Sequence, residues 1–326
     1  MQHLLFYLKQ KDKEFKITQK MLVQRTLTNP IKATGVGLHS GRQIKLNLFP
    51  ADEDTGIIFR RIDLDPQVEI KAIVNNVSAT TLATTLVQGD TQIATIEHLM
   101  SAFAGLGIDN VIVEVDDMEV PIMDGSASPF VFLIQSAGIK QQTKPKKFIK
   151  IKEEIKVETP DGAYAKLAPY NGFKVTYALV YDDEKQKKYN STSTVDFNST
   201  TFLKEISRAR TFGFISDIDY MKKNKLALGG SEKNAVVIGE DKILNEEGLR
   251  SSQELVKHKI LDVIGDLYLL QYNIVAEFEG FKSGHSLNNL LLNRLLELPD
   301  AWEVISSDGD APEIRYIEPI IDPSSG

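Results

Sequence analysis

The segment SSQELVKHKILDVIGDLYLLQYNIVAE, residues 251–277, joins a long helix pattern directly to a strand pattern. Apolar residues cover most of the circumference of the helix predicted from Ser251 to Tyr272, so this helix should be largely buried. Asn273 to Glu277 has the short apolar run of a buried strand, and residues 285–298 carry a second helix pattern. Helix, strand and helix in this order favour a sheet covered by helices.

The first half of the chain repeats this order of elements. A helix is predicted from Ile93 to Leu106, a buried strand from Asn110 to Val115, and a helix containing Pro129 to Ile134 with Ser126 as its N-cap. Strand-like runs precede the helices in both halves, at residues 43–48, 56–59, 148–157, 163–168 and 173–181. The repeat predicts two similar α+β domains, and its runs of strands argue against a doubly wound parallel sheet.

The polar, basic stretch KQQTKPKKF, residues 140–148, is the best candidate for a linker between the two halves, because Pro145 interrupts it. The 326 residues exceed the usual size of one hydrophobic core. The expected division is an extension at residues 1–20, domain I at 21–144 and domain II at 145–326.

The composition excludes several classes of protein. The net charge of −7 and the lack of a basic stripe argue against a nucleic-acid partner. The chain has no cysteine, so disulfides, thiolate metal sites and a cysteine nucleophile are excluded. No stretch approaches the roughly 18 apolar residues of a transmembrane helix, and the first 20 residues make a poor signal peptide. A cytoplasmic location fits a chain without cysteine.

A polar stripe runs along the helix that was predicted to be buried. His258, Asp262 and Asp266 stand at positions i, i+4 and i+8, which places them on one face. Burying an unpaired carboxylate is costly, so each must be paired or bound to a metal. A histidine and an aspartate at i and i+4 direct two ligands to one point, as a metal site on a helix requires. A His–Asp salt bridge at a solvated edge is the alternative.

Two other histidines have suggestive neighbours. Glu97 and His98 are adjacent in an apolar helix, an arrangement that can supply one general base beside one metal ligand. A surface glutamate beside a core histidine is the alternative. His285 is expected near a helix N-terminus, where the dipole disfavours an imidazolium unless a carboxylate such as Asp266 pairs with it. A capping histidine in a turn remains the alternative there.

Seven motifs together, in this order, resemble the UDP-3-O-acyl-N-acetylglucosamine deacetylase family over about residues 21 to 320. They are GVGLHSG at 35–41, TIEHL at 95–99, AGLGIDN at 104–110, VPIMDGS at 120–126, SRARTFGF at 207–214, HKILDVIGD at 258–266 and SGHSLNN at 283–289. The resemblance implies two similar domains, each a β-sheet with a two-helix layer, packed as a β-α-α-β sandwich with an insert in each domain. The active site is then expected between the domains.

The resemblance also implies residue roles for a zinc-dependent amidase of lipid A synthesis. The implied roles are zinc ligation by His98, His258 and Asp262, general base catalysis by Glu97, a transition-state cation at His285 oriented by Asp266, oxyanion binding by Thr211, and substrate contacts by Lys259, Phe212, Phe214 and Ile218. Phe214 and Ile218 would line a passage for the acyl chain. One Zn²⁺ per chain, an acylated UDP-sugar substrate, proximity to the inner membrane and a monomeric state are implied as well.

Ala227 departs from the family, whose members often carry a cysteine at this place before Leu-Gly-Gly. Because the position lines the acyl passage, the departure bears on the fit of the acyl chain rather than on the chemistry. Three other hypotheses stay open at this point. They are an amidase acting on another sugar, a non-catalytic protein that binds acylated nucleotide-sugars, and an α+β protein in which buried His–Asp pairs hold no metal.

Overall fold

The computed structural model describes residues 21–217, 221, 223, 226–309 and 312–318, and both the predicted extension at 1–20 and Ile218 lie outside this part. The described part contains four helices of ten or more residues. They are α1 at Glu97–Leu106, α2 at Ser128–Ala137, α3 at Glu254–Leu267 and α4 at His285–Leu296. A short turn at Ser199–Thr201 runs into a π-helical segment at Phe202–Ile206.

The described residues also form nineteen strands, most of them in two long runs that precede the helices α1 and α3. In chain order they are β1 Val23–Leu27, β2 Ile31–Val36, β3 Gln43–Pro50, β4 Ile57–Arg61, β5 Val68–Lys71, β6 Val77–Ala79, β7 Thr85–Gln88, β8 Thr91–Ile93, β9 Val111–Val115, β10 Ile139–Pro145, β11 Lys147–Ile151, β12 Ile155–Glu158, β13 Tyr164–Ala168, β14 Phe173–Leu179, β15 Ser191–Asp196, β16 Phe212–Phe214, β17 Val236–Ile238, β18 Asn273–Phe281 and β19 Trp302–Ser306.

Each half of the described chain builds one main sheet. In the first half, five strands lie in the order β2-β3-β9-β4-β5, and β9 is parallel to β4. In the second half, the order is β12-β13-β18-β11-β19, with β14 and β15 also joined through β18. There β18 runs parallel to both β11 and β14. The strands that follow α1 and α3, predicted from the sequence as a buried strand in each half, are therefore central in the two sheets.

The helices form a double layer between the two sheets. Helix α2 packs on α1 and β2, whereas α4 packs on α3, β12 and β13. The contact between α1 and α3 joins the halves, and it is close because Gly265 has no side chain. A Cβ at residue 265 would lie 2.1 Å from the carbonyl oxygen of Glu97. The predicted α+β class and the β-α-α-β sandwich are confirmed.

Each half also carries an insert outside its main sheet. In the first half, β6, β7 and β8 form a small antiparallel sheet directly before α1. In the second half, β16 and β17 form a parallel pair before α3. Both inserts lead into the helices that face each other across the centre of the molecule, and Leu82 of the first insert and Phe212 of the second line one cavity beside those helices.

Several local predictions differ from the structure. The helix predicted from Ser251 to Tyr272 is α3 at Glu254–Leu267, followed by a 3₁₀ turn at Tyr268–Leu270. Helix α1 begins at Glu97 rather than at Ile93, because Thr91–Ile93 forms strand β8. The run at 148–157 is two strands, β11 and β12. Ala127, rather than Ser126, is the N-cap residue of α2, although the Ser126 hydroxyl accepts a hydrogen bond from the Ser128 amide at 3.2 Å.

The segment predicted as a linker is ordered and partly buried. Residues Ile139–Pro145 form β10, which pairs with β1. The next residue, Lys146, has no exposed surface, and its ammonium donates to the Asp109 carboxylate at 2.5 Å and to the Gly107 carbonyl at 3.1 Å. This buried ion pair therefore fixes the chain where it passes from one half to the other. No helix among the described residues is both long and apolar enough to cross a membrane.

Replacing Asp109 with alanine is expected to lower the free energy of unfolding by about 3 to 5 kcal/mol, because it leaves the Lys146 ammonium buried without its counter-ion. Chemical denaturation measures this change. Glu297→Ala is the control, since the Arg294–Glu297 pair is solvent-exposed and worth at most about 1 kcal/mol. Equal stability changes in the two variants would show that the Lys146–Asp109 ion pair does not stabilise the connection between the two halves.

Candidate metal centre and active site

His98, His258 and Asp262 form a buried group whose ligand atoms lie within 4.8 Å of one another. The Asp262 Oδ1 atom lies 3.6 Å from Nε2 of His98 and 3.4 Å from Nε2 of His258. His258 and Asp262 come from successive turns of α3, whereas His98 is the second residue of α1. The close approach of the two helices at Gly265 brings the three side chains together.

The hydrogen bonds of these residues suit a divalent cation. The other Asp262 oxygen accepts from Lys259 at 2.6 Å, while Oδ1 is buried without a hydrogen-bond partner among the described residues. Nδ1 of His258 lies 3.0 Å from the Ala209 carbonyl oxygen, to which it must donate. That bond fixes the tautomer and leaves the Nε2 lone pair free, as metal ligation requires.

The charge states of His258 and Asp262 also suit a divalent cation. Burial lowers the pKa of His258 to about 3, so the imidazole is neutral. Burial opposes ionisation of Asp262, but neighbouring cationic groups, Lys259 among them, hold the pKa of this carboxyl well below its usual range. Two imidazoles and one carboxylate are a common ligand set for Zn²⁺ and leave a fourth position open. The residues present therefore fit the metal that the sequence resemblance implied.

Glu97 lies beside this group. Its Oε2 atom accepts a hydrogen bond from the Thr84 amide at 3.1 Å, and its Oε1 atom is 3.8 Å from Nε2 of His285. Burial raises the pKa of the Glu97 carboxyl. A raised carboxyl pKa suits a group that must accept and release a proton near neutral pH.

His285 is the first residue of α4 and is paired with Asp266. Nδ1 of His285 donates to Asp266 Oδ2 at 2.8 Å, and the Asn288 amide donates to the same oxygen at 2.8 Å. Burial opposes a charge on His285, but the carboxylates of Asp266 and Glu97 outweigh it and raise the pKa to about 9. At neutral pH this site thus holds an imidazolium whose Nε2 atom faces Glu97.

Thr84 connects these two carboxylates and was missed by the sequence analysis. Its amide donates to Glu97, and its hydroxyl donates to Asp266 Oδ1 at 2.6 Å. It lies just before β7 in the first insert, and the surrounding stretch SATTLATT carries no helical or metal-ligand spacing that could have marked it. The polar composition of that stretch was the only signal.

The remaining predicted site residues occupy two neighbouring cavities. A cavity of about 300 Å³ is lined by Thr211, Phe212 and Lys259 together with the metal group, Glu97 and His285. Phe214 lines a separate cavity of about 270 Å³ and packs edge-on against Tyr181. Of the predicted residues that the structure describes, all except Phe214 line the first cavity or, like Asp266, stand on a helix beside it. Ile218 is outside the described residues.

A buried arginine fixes the segment that carries Thr211. The Arg210 guanidinium donates to both carboxylate oxygens of Glu254, at 2.8 and 3.1 Å. Glu254 stands one turn before His258 on α3. Ala209 and Thr211 flank the arginine. The ion pair therefore positions the Ala209 carbonyl, which orients His258, and the Thr211 side chain, which lines the cavity.

Comparison with known proteins agrees with this geometry. Residues 24–297 match the family model described as UDP-3-O-acyl N-acetylglycosamine deacetylase. The chain is 57% identical over 301 residues to the UDP-3-O-acyl-N-acetylglucosamine deacetylase of Pseudomonas entomophila (strain L48), covering 92% of this chain and 99% of that protein. It is 54% identical over 301 residues, with the same coverage, to the enzyme of that name from Cellvibrio japonicus (strain Ueda107). The chain belongs to the UDP-3-O-acyl N-acetylglycosamine deacetylase family.

Proposed function

We propose that this protein hydrolyses the N-acetyl group of UDP-3-O-(3-hydroxyacyl)-N-acetylglucosamine, releasing acetate and UDP-3-O-acyl-glucosamine in the committed step of lipid A synthesis. The observation that carries the proposal is the buried group of His98, His258 and Asp262 with Glu97 beside it in one cavity. The names of the two relatives support the substrate.

His98, His258 and Asp262 would hold one Zn²⁺ per chain. Their two imidazoles, their single carboxylate and the unpartnered Oδ1 atom of Asp262 support this assignment over a hard cation such as Mg²⁺. When bound, the ion would supply Lewis-acid chemistry, acidifying water and polarising the amide carbonyl.

Glu97 is the general base in this proposal. It takes a proton from water as the water attacks the acetyl carbon, and its raised pKa suits that exchange. The Thr211 hydroxyl, in the same cavity, donates to the developing oxyanion. His285, held as an imidazolium by Asp266, places a positive charge beside the tetrahedral intermediate. The amine leaves with a proton from either Glu97 or His285.

The substrate would extend from the metal group in the direction of the second insert. Phe212 lines the first cavity, and Lys259 offers a cation at its wall. Beyond them, Phe214 lies among aromatic side chains, since Tyr181 and Tyr189 pack on it. An acyl chain can be buried against such a surface, so we assign Phe214 to the acyl passage. The assignment of Ile218 to the same passage rests on the sequence resemblance alone.

The setting of the reaction is part of the same proposal. We place the enzyme in the cytoplasm, near the inner membrane, as a monomer without a nucleic-acid partner. The acidic net charge of −7 supports the absence of a nucleic-acid partner, and the amphipathic substrate supports the membrane proximity.

Acyl-chain dependence tests the substrate assignment. Acetate release should have a kcat/KM at least about 100-fold higher for UDP-3-O-acyl-N-acetylglucosamine than for UDP-N-acetylglucosamine, because each buried CH₂ group contributes about 0.8 kcal/mol. Equal kcat/KM values for the two substrates would instead favour an amidase for another sugar.

Asp266→Asn is expected to move the basic limb of the pH profile of kcat/KM to lower pH. The Asp266 carboxylate raises the pKa of His285, so its removal lets the imidazolium lose its proton at lower pH. Asn288→Ala is the matched control, since it removes the other neighbour of Asp266 Oδ2 but keeps the charge. A basic limb that stays in place in Asp266→Asn would remove Asp266 from this role.

A further inference from the structure

Thr95 has a backbone conformation that threonine rarely adopts. Its φ is +58°, in the left-handed region, where a β-branched side chain is strained and glycine or asparagine is favoured. Residues on both sides are fixed. Ala94 forms a bridge with Glu119 and exchanges backbone hydrogen bonds with residues 118 and 120, and Ile96 accepts the first hydrogen bond of α1, from Met100. The chain must therefore turn at Thr95, two residues before Glu97.

The Thr95 hydroxyl does not stabilise this turn. The residue is only 3% exposed, yet its Oγ1 atom has no hydrogen-bond partner among the described residues. A threonine at this place could cap the helix that follows, but α1 has no side-chain cap. A buried hydroxyl without a partner destabilises the fold relative to a methyl group of the same shape.

The same side chain lines the cavity that holds Glu97, His98 and Thr211. Strained backbone and unsatisfied polar groups that persist in a fold gather at ligand sites, because the ligand completes them. We propose that the Thr95 hydroxyl binds the substrate by a hydrogen bond to a polar atom of the amino sugar, beside the acetamido group. This inference rests on the proposed function and adds a binding residue to it.

Thr95→Val and Thr95→Ser separate binding from a structural role. Valine keeps the β-branched shape and loses the hydroxyl, whereas serine keeps the hydroxyl. For the valine variant we expect kcat/KM for acetate release to fall by about 10- to 100-fold, since a buried polar atom of the substrate loses its partner. Its Tm and metal content should equal or exceed those of the wild type. The serine variant should stay within about 3-fold in kcat/KM.

Two results of the activity and stability measurements would overturn the inference. One is a valine variant whose kcat/KM lies within about 2-fold of the wild type. The other is a fall in Tm for valine that serine avoids, which would assign the hydroxyl to the fold. Calorimetric binding of UDP-3-O-acyl-glucosamine to the three proteins gives a second readout, with Thr95→Ala replacing valine if valine does not fold. A wild type that releases no acetate would refute the proposed function, whereas equal affinities in all variants would refute only the role of Thr95.

Discussion

Replacing Glu97 with glutamine is expected to reduce kcat by about 10²- to 10⁴-fold, the range that positioned general bases contribute. Glutamine has nearly the same shape as glutamate and can still accept the hydrogen bond from the Thr84 amide through its side-chain oxygen. It cannot take a proton from water. Because Glu97 lies outside the group His98, His258 and Asp262, the metal content should be unchanged.

Steady-state acetate release and elemental analysis on the same preparation check this prediction. Glu114→Gln is a matched control, since that carboxylate is part-buried on β9 and pairs with Arg60 away from the cavity. Near wild-type turnover in Glu97→Gln would show that another group accepts the proton. Loss of metal in that variant would place Glu97 among the ligands.

His258→Ala is expected to lower the affinity for metal by more than about 100-fold and to abolish acetate release. Loss of a group that only orients a ligand costs about 10- to 100-fold, so loss of a ligand should cost more. The variant also leaves the Ala209 carbonyl without its imidazole donor and removes the nearer of the two imidazoles beside Asp262 Oδ1. Metal content after dialysis against a weak chelator measures the change.

His39→Gln is the control for this experiment, because His39 lies outside the metal group. That variant should retain stoichiometric metal under the same dialysis. A His258→Ala protein that retains one metal ion per chain would contradict the assignment of His258 as a ligand.

The regular elements of the fold follow from local pattern. The apolar surface of α3 and the run that forms β18 are visible in residues 251–277 alone, and the same order in the first half predicts the paired domain. The i, i+4, i+8 stripe likewise predicts that His258, Asp262 and Asp266 share a face. Local pattern cannot predict where α1 crosses α3, and this crossing brings His98 to the face that carries His258 and Asp262. Only the family resemblance implied that the three residues share one metal site.

Other features depend on contacts that are distant in sequence. Lys146 stands in a stretch whose composition is typical of a linker, and it is buried because Asp109 and Gly107 accept its hydrogen bonds. Thr84 meets Asp266 across 182 positions of the chain. The left-handed turn at Thr95, which delays the start of α1 to Glu97, is imposed by the pairing of Ala94 with Glu119. No periodicity within one element encodes such contacts.

Acetate release from UDP-3-O-acyl-N-acetylglucosamine, before chelation, after chelation and after zinc is restored, tests the central claim most directly. The account predicts release that a chelator abolishes and that about one equivalent of Zn²⁺ per chain restores, because His98, His258 and Asp262 form one site. No release from folded, zinc-loaded protein would contradict the account and favour a protein that binds acylated nucleotide-sugars without cleaving them.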